Sequence, residues 1–243
     1  MAIISFFIIN FFASVYQGLA GFGFVLIAAP LSLLFLDKYT TVVSLDLIAF
    51  ILNLFLVFQI KHKIHWKLVI ILLLASIIGM PIGLWLLAHA SIQLIKIAAG
   101  TLAIIFTLLI VFKKSSATTS PNTFVDALAG IASGILQTST GMSGPPIVLT
   151  LAKSGKEKNE MRKTLVTFFL FLNLISLPFF FINGQFTWQH ISIGIYALPF
   201  CFLGAQIGHK LAHKFSQRTY KILALITVTI TGLISIYSGV TSF

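Results

Sequence analysis

The chain has 243 residues, 58% of them hydrophobic and 9% charged, with mean hydropathy +1.05 and five carboxylates against sixteen Lys and Arg. A water-soluble domain has no means of burying that much apolar surface, so the composition describes a polytopic membrane protein. The net charge of +11 is parted by apolar runs of about 20 residues, which excludes a continuous nucleic-acid groove, and the single Cys201 excludes an internal disulfide.

Eight apolar stretches follow in chain order, at 2–36, 40–60, 68–88, 92–112, 124–152, 164–182, 191–208 and 222–240. The opening "MAIISFFIINFFASVYQGLA" lacks a basic n-region and a clear cleavage site, and reads as retained. Six stretches have the length of one transmembrane helix, about 20 residues. The first and fifth run to about 30 to 35 residues, roughly 45 to 50 Å as helix, well beyond a hydrocarbon core of about 30 Å. Each must break. The breaks are written near the middle of each stretch, as "QGLAGFGF" at 17–24 and "TGMSGPP" at 140–146. Glycine permits irregular backbone, and Pro145 and Pro146 cannot continue a helix but can begin one.

Basic residues favour the cytoplasmic side. If both broken stretches return to the side they entered, 14 of the 16 basic residues share one face, all except Lys38 and Lys96. If each crosses once, the split falls to 11 against 5. The hairpin arrangement is therefore expected, with six full crossings and both termini outside. Half-depth hairpins and pairs of short spans remain equally compatible with the count.

The chain also resembles itself. A shift of 120 residues places Gln17 on Gln137, Gly21 on Gly141 and the Leu-Asn-Leu run at 52–54 on that at 172–174. Shifts of 122 and then 125 place Trp66 on Trp188, and Gly79, Gly83, Ser91 and Lys96 on Gly204, Gly208, Ser216 and Lys221. Each half then holds one broken hairpin helix and three transmembrane helices. Three crossings are odd in number, so the second half enters from the opposite face. The expected organisation is an all-α inverted repeat, with a first repeat at 1–112, a linker at 113–122 and a second repeat at 123–243. Inverted repeats whose discontinuous helices meet near the midplane are a known plan of secondary transporters.

Irregular backbone at membrane depth persists only where protein or a watery cavity satisfies it. Helices restarting near Phe24 and Pro146 would aim free N–H groups and positive dipole ends inward, which suits an anion. The expected substrate-binding residues are Gln17, Gly21, Phe22, Gly23 and Phe24 in the first break. In the second they are Gln137, Ser139, Thr140, Gly141, Ser143, Gly144 and Pro145, with N–H donors mainly from Gly141 to Gly144. The alternative is that Gly and Ser here merely allow close helix packing. Asn53 and Asn173 sit mid-helix in matching positions, and either line the cavity or clamp the breaks. Asp46, seven residues before Asn53 on the same face, is compatible with proton coupling or with an interfacial position about two turns below the surface. Val166 at the matching position of the other half weighs toward the second. The His62/His65 and His209/His213 pairs have metal-compatible spacing but lie among lysines without acidic partners, so no metal or cofactor is expected. The run "KSGKEKNEMRK" at 153–163 reads as a solvated cytoplasmic loop.

The segments "GLAGFGFVLIAAPLSLLFLD" at 18–37 and "GIASGILQTSTGMSGPPIVLTLAKSG" at 130–155 resemble the paired glycine-rich motifs of the sulfite exporter TauE/SafE family. The resemblance covers nearly the whole chain. It implies a prokaryotic plasma-membrane secondary transporter of sulfur-containing or organic anions such as sulfite, sulfonates or carboxylates. Its motif positions here are Gly21, Gly23, Gly141, Ser143, Gly144, Pro145 and Pro146. Many members carry consecutive glycines where this chain has Phe22, Phe24 and Ser143, so the cavity is expected to be tighter or shaped for another anion. The expected partners are a small anion and the lipid bilayer, with a homo-oligomer compatible. An anion channel is the alternative. An intramembrane enzyme would need a nucleophile and base, or a carboxylate or metal pair, at one depth, and no such set is written. No phosphate-binding G-x-x-x-x-G-K-[ST] loop is present, so a gradient must drive transport.

Overall fold

The computed structural model describes residues 2–112, 122–152, 158–212 and 217–241. Among them are ten helices and no strand: α1 (Ala2–Ala20), α2 (Phe24–Ser32), α3 (Lys38–Gln59), α4 (Trp66–His89), α5 (Ile92–Phe112), α6 (Thr123–Thr140), α7 (Gly144–Ala152), α8 (Lys158–Ile182), α9 (Trp188–Leu211) and α10 (Gln217–Thr241). Five are long and apolar enough to cross a membrane: α1, α3, α4, α8 and α9. Hydrophobic stripes face outward at helical spacing, Ile4, Ile8 and Phe12 on α1 and Ile70, Leu74 and Ile78 on α4. Lipid is the solvent such stripes require, and the chain is a multi-pass membrane protein.

Both long stretches break where their glycines predicted, but unequally. α1 has 19 residues, about 28 Å, while α2 has nine, about 13 Å; α6 and α7 repeat this with 18 and nine. So α1 alone has the length of a crossing, and α2 and α7 are too short for one. Seven of the nine residues of α2 are buried, which places this helix inside the protein rather than against lipid.

Small residues set the helix pairing. α4 lies along α6 and α1 along α9, while α5 lies along α10 and α3 against α8 and α9. A Cβ at Gly79 or Gly83 would meet the carbonyl of Ile131 or Ile135, and one at Gly204 or Gly208 the carbonyl of Phe11 or Val15. These glycines therefore permit backbone-to-backbone approach. The main apolar cluster gathers around α2, joining Phe24, Leu26 and Ile27 to Leu45 and Leu52 of α3 and to Phe168 and Leu172 of α8.

One expected loop is different. α8 begins at Lys158, six residues before the apolar stretch at 164, so the charged run is helical from that point; 153–157 lie outside the described residues, as do 113–121 of the expected linker. The physical reason is a tertiary contact: Arg162 is only 7% exposed, and its Nη2 donates to the carbonyl of Gly18 near the end of α1. A cation at a helix C-terminus satisfies carbonyls the helix leaves open.

Candidate functional site

The first break turns on two glycines in the left-handed region, Gly21 at φ +80° and Gly23 at φ +97°, which an L side chain adopts only at a cost. Gln17 ties this turn to α3. Its Oε1 accepts the Phe24 N–H at 3.1 Å, and its Nε2 donates to Asn53 Oδ1 at 2.8 Å. Asn53 is thus joined to the break through Gln17.

The second break repeats this plan with one addition. Gly141 stands at φ +74°, its N–H on Gln137 O at 3.1 Å, and Met142 N–H donates to Thr140 Oγ1 at 3.3 Å. Those two donors are therefore committed, so of the segment from Gly141 to Gly144 expected to supply most N–H groups, Ser143 and Gly144 remain. α7 restarts at Gly144, two residues before Pro146, so both prolines occupy the first turn, where an absent N–H costs nothing. Gln137 Nε2 lies 3.0 Å from Asn173 Oδ1, the counterpart of the Gln17–Asn53 pair, and also 2.5 Å from Asp46 Oδ1 and 3.4 Å from Ser176 Oγ. Ser176 Oγ donates to Asp46 Oδ2 at 2.7 Å.

Both breaks open on one cavity of about 40 Å³. Of the residues expected to bind substrate, Gln17, Gly23, Phe24, Asn53, Gln137, Gly141, Ser143, Gly144 and Asn173 line it, joined by Val25, Leu26, Ala49, Met142 and Phe169. The other expected residues do not. Gly21 packs toward Arg162 and Val166, Phe22 lies edge-on to Tyr16, Ser139 and Thr140 donate to the carbonyls of Ile135 and Leu136, and Pro145 is buried outside the lining. A Cβ at Gly144 would have only ordinary contacts, 3.8 Å to Leu26 and Phe169, so this glycine keeps space rather than a helix crossing.

Asp46 stands about two turns beyond the start of α3. It is 1% exposed and held by Gln137 and Ser176 from two other helices, beside the cavity. Turning the Asn173 amide over places its nitrogen 3.2 Å from Asp46 Oδ1 and from Phe169 O, and its oxygen 3.0 Å from the Phe50 N–H. Sequence reasoning missed Ser176, although it lies one turn from Asn173 on the same face. It also missed Arg162, which a basic run conceals.

A larger cavity, about 680 Å³, opens where the start of α3, the end of α4 and the turn between α8 and α9 meet, lined by residues that include Tyr39, Trp85, His89, Phe179, Gln185 and His190. Val42, Val43, Leu84, Leu87 and Phe180, all buried, form a separate apolar cluster at this end of the bundle. On α3 this collar falls between Tyr39 and Asp46.

The family model for the sulfite exporter TauE/SafE matches residues 6–234, nearly the whole chain. No curated protein and no solved structure matches it. Broken helices at the matched glycine motifs, a cavity between them with polar side chains in its lining and a lipid-facing exterior suit membrane transport, and the chain belongs to the sulfite exporter TauE/SafE family of membrane transporters, which are not enzymes.

Proposed function

We propose that the chain carries a small oxyanion, such as sulfite, a sulfonate or a carboxylate, across a prokaryotic plasma membrane by alternating access, and that the cavity between the two breaks is the substrate site. One observation carries this reading: two breaks about 120 residues apart, each with its own Gln–Asn pair, line the same cavity. The N–H groups of Ser143 and Gly144 at the start of α7 and the Ser143 hydroxyl supply donors suited to an oxyanion. An inverted repeat accounts for the matched crossings, since Gly79 on Ile131 and Gly204 on Phe11 differ by the same offsets that align the sequence.

A volume of about 40 Å³ holds about three waters at roughly 10 to 15 Å³ each, space on the scale of a small oxyanion. The test is thermal stabilisation of purified protein by sulfite, sulfate, sulfonates, carboxylates and chloride, repeated with Gly144→Trp. Stabilisation by one anion class, absent in a variant that still folds, identifies substrate and site. Anion current that does not saturate, without exchange across the membrane, would assign a channel instead.

A further inference from the structure

We infer that the central cavity accepts anions of a single negative charge, so that sulfite enters as hydrogensulfite and dianions such as sulfate are refused; this rests on that cavity being the anion site.

Every described residue that lines the cavity is uncharged. Phe24, Val25, Leu26, Ala49, Met142 and Phe169 form its apolar wall, and Gln17, Asn53, Gln137, Asn173 and Ser143 bring the polar side chains. Part of that polar supply is spent within the protein. Gln17 Nε2 is held by Asn53 and its Oε1 by the Phe24 N–H, while Gln137 Nε2 donates to Asp46. What positive character the site has comes from its two helix restarts. The first residues of α2, Phe24 to Leu26, and of α7, at Gly144, both stand in the lining, and each helix has nine residues. A helix N-terminus is equivalent to roughly +0.5 elementary charge, so the pair presents about one. One negative charge is matched by this. A second would find dipoles already engaged and an apolar wall, and an uncompensated charge out of water is strongly disfavoured.

The ionisable side chains around the breaks do not supply the missing charge. Arg162 is buried, but its Nη2 donates to the Gly18 carbonyl and lies 3.3 Å from His209 Nδ1, so its guanidinium serves the end of α1. Asp46 stands behind Gln137, and a carboxyl adds no positive charge in either protonation state. The other charged side chains described on the helices that line the cavity are engaged near helix ends. Lys38 donates to the carbonyls of Ala88 and Ala90, Lys163 to that of Val57, Glu160 faces His65, and Asp126 lies in the first turn of α6. Selection therefore acts through charge rather than size. Methanesulfonate and sulfate show the difference, since they share a tetrahedral sulfur and differ by a methyl group in place of one charged oxygen.

The test compares affinities of three probes. The full chain in detergent, at constant ionic strength, is titrated calorimetrically with methanesulfonate, sulfate and sulfite from mildly acidic to mildly alkaline pH. Sulfate is expected to bind more than about tenfold more weakly than methanesulfonate. Sulfite separates charge from the contact a methyl group makes, because hydrogensulfite has no methyl and loses its proton within this range. Its affinity, counted per total sulfite and relative to methanesulfonate at the same pH, is expected to fall about tenfold per pH unit once that proton is lost. Taking the ratio cancels any titration of the protein itself. Sulfate binding within tenfold of methanesulfonate, or a sulfite ratio that is the same at every pH, overturns the inference while leaving the anion site standing. Binding of none of the three, or methanesulfonate binding that is unchanged in Gly144→Trp, overturns the anion site and the inference with it. Should Gly144→Trp fail to fold, the wild-type ratios decide alone.

Discussion

Gly144→Ala separates a glycine that keeps space for a ligand from glycines that only let helices approach. A Cβ at Gly144 would stand 3.8 Å from Leu26 Cδ1 and Phe169 Cζ, ordinary contact distances, on the wall of a cavity of about 40 Å³. One methyl group is about the size of a water, so it takes a substantial share of that space. The fold should barely respond: the lower entropy of an unfolded Ala offsets the reluctance of a residue before proline to be helical, leaving a change within about 1 kcal/mol. Anion affinity should fall at least tenfold, about 1.4 kcal/mol. Gly134→Ala is the control, because its Cβ would fall on the Ser76 carbonyl and force α4 and α6 apart at a cost of about 1 to 3 kcal/mol. The assay is thermal unfolding followed by tryptophan fluorescence, with and without anion, where 1 kcal/mol corresponds to about 2 to 4 °C for a chain of this size. Gly144→Ala retaining full affinity, or losing as much stability as Gly134→Ala, would refute the reasoning.

Replacing Arg162 by Leu should destabilise the chain by about 2 to 3 kcal/mol, because the buried Gly18 carbonyl loses a charged donor; a melting temperature equal to wild type would show that the contact does not matter. Thr138→Val should cost about 1 kcal/mol, since Thr138 Oγ1 donates to Met80 O at 2.7 Å across the α4–α6 crossing; the same unfolding assay measures it. Asp37 caps α3, accepting the Thr40 N–H at 2.9 Å. Burial acts to raise its pKa, but the Thr40 hydrogen bonds and the nearby His190 outweigh that and hold it below its ordinary value. A depressed carboxyl stabilises the fold above its unfolded pKa of about 3.9 and loses that contribution as pH falls through the folded value. Wild type should therefore lose more thermal stability than Asp37→Asn on acidification below about pH 4, since Asn caps without titrating; parallel losses would remove Asp37 from the account.

Much of the architecture was legible because membrane solvent imposes it locally. Stretch lengths against bilayer thickness required two breaks, and glycines followed by prolines marked where they fall. The helices stop at Ala20 and Thr140 for that reason. The Gln–Asn pairing of Gln17 with Asn53, and of Gln137 with Asn173, was foreshadowed by residues recurring at one offset. Their burial made a partner obligatory, though the sequence left open which one.

The environment of each charge was a different matter. The sequence left the surroundings of Asp46 open, and it is buried against Ser176 and Gln137, donors that arrive from α8 and α6. Arg162 read as part of a solvated loop, yet a carbonyl 144 residues away in sequence draws it inside. Hydropathy and helical period are properties of one segment and its solvent, so the chain alone determined its spans, its breaks and its family motifs. Whether a polar group can be buried depends on donors and acceptors brought by other helices, and only the packing of α1, α3, α6 and α8 around the breaks decided that.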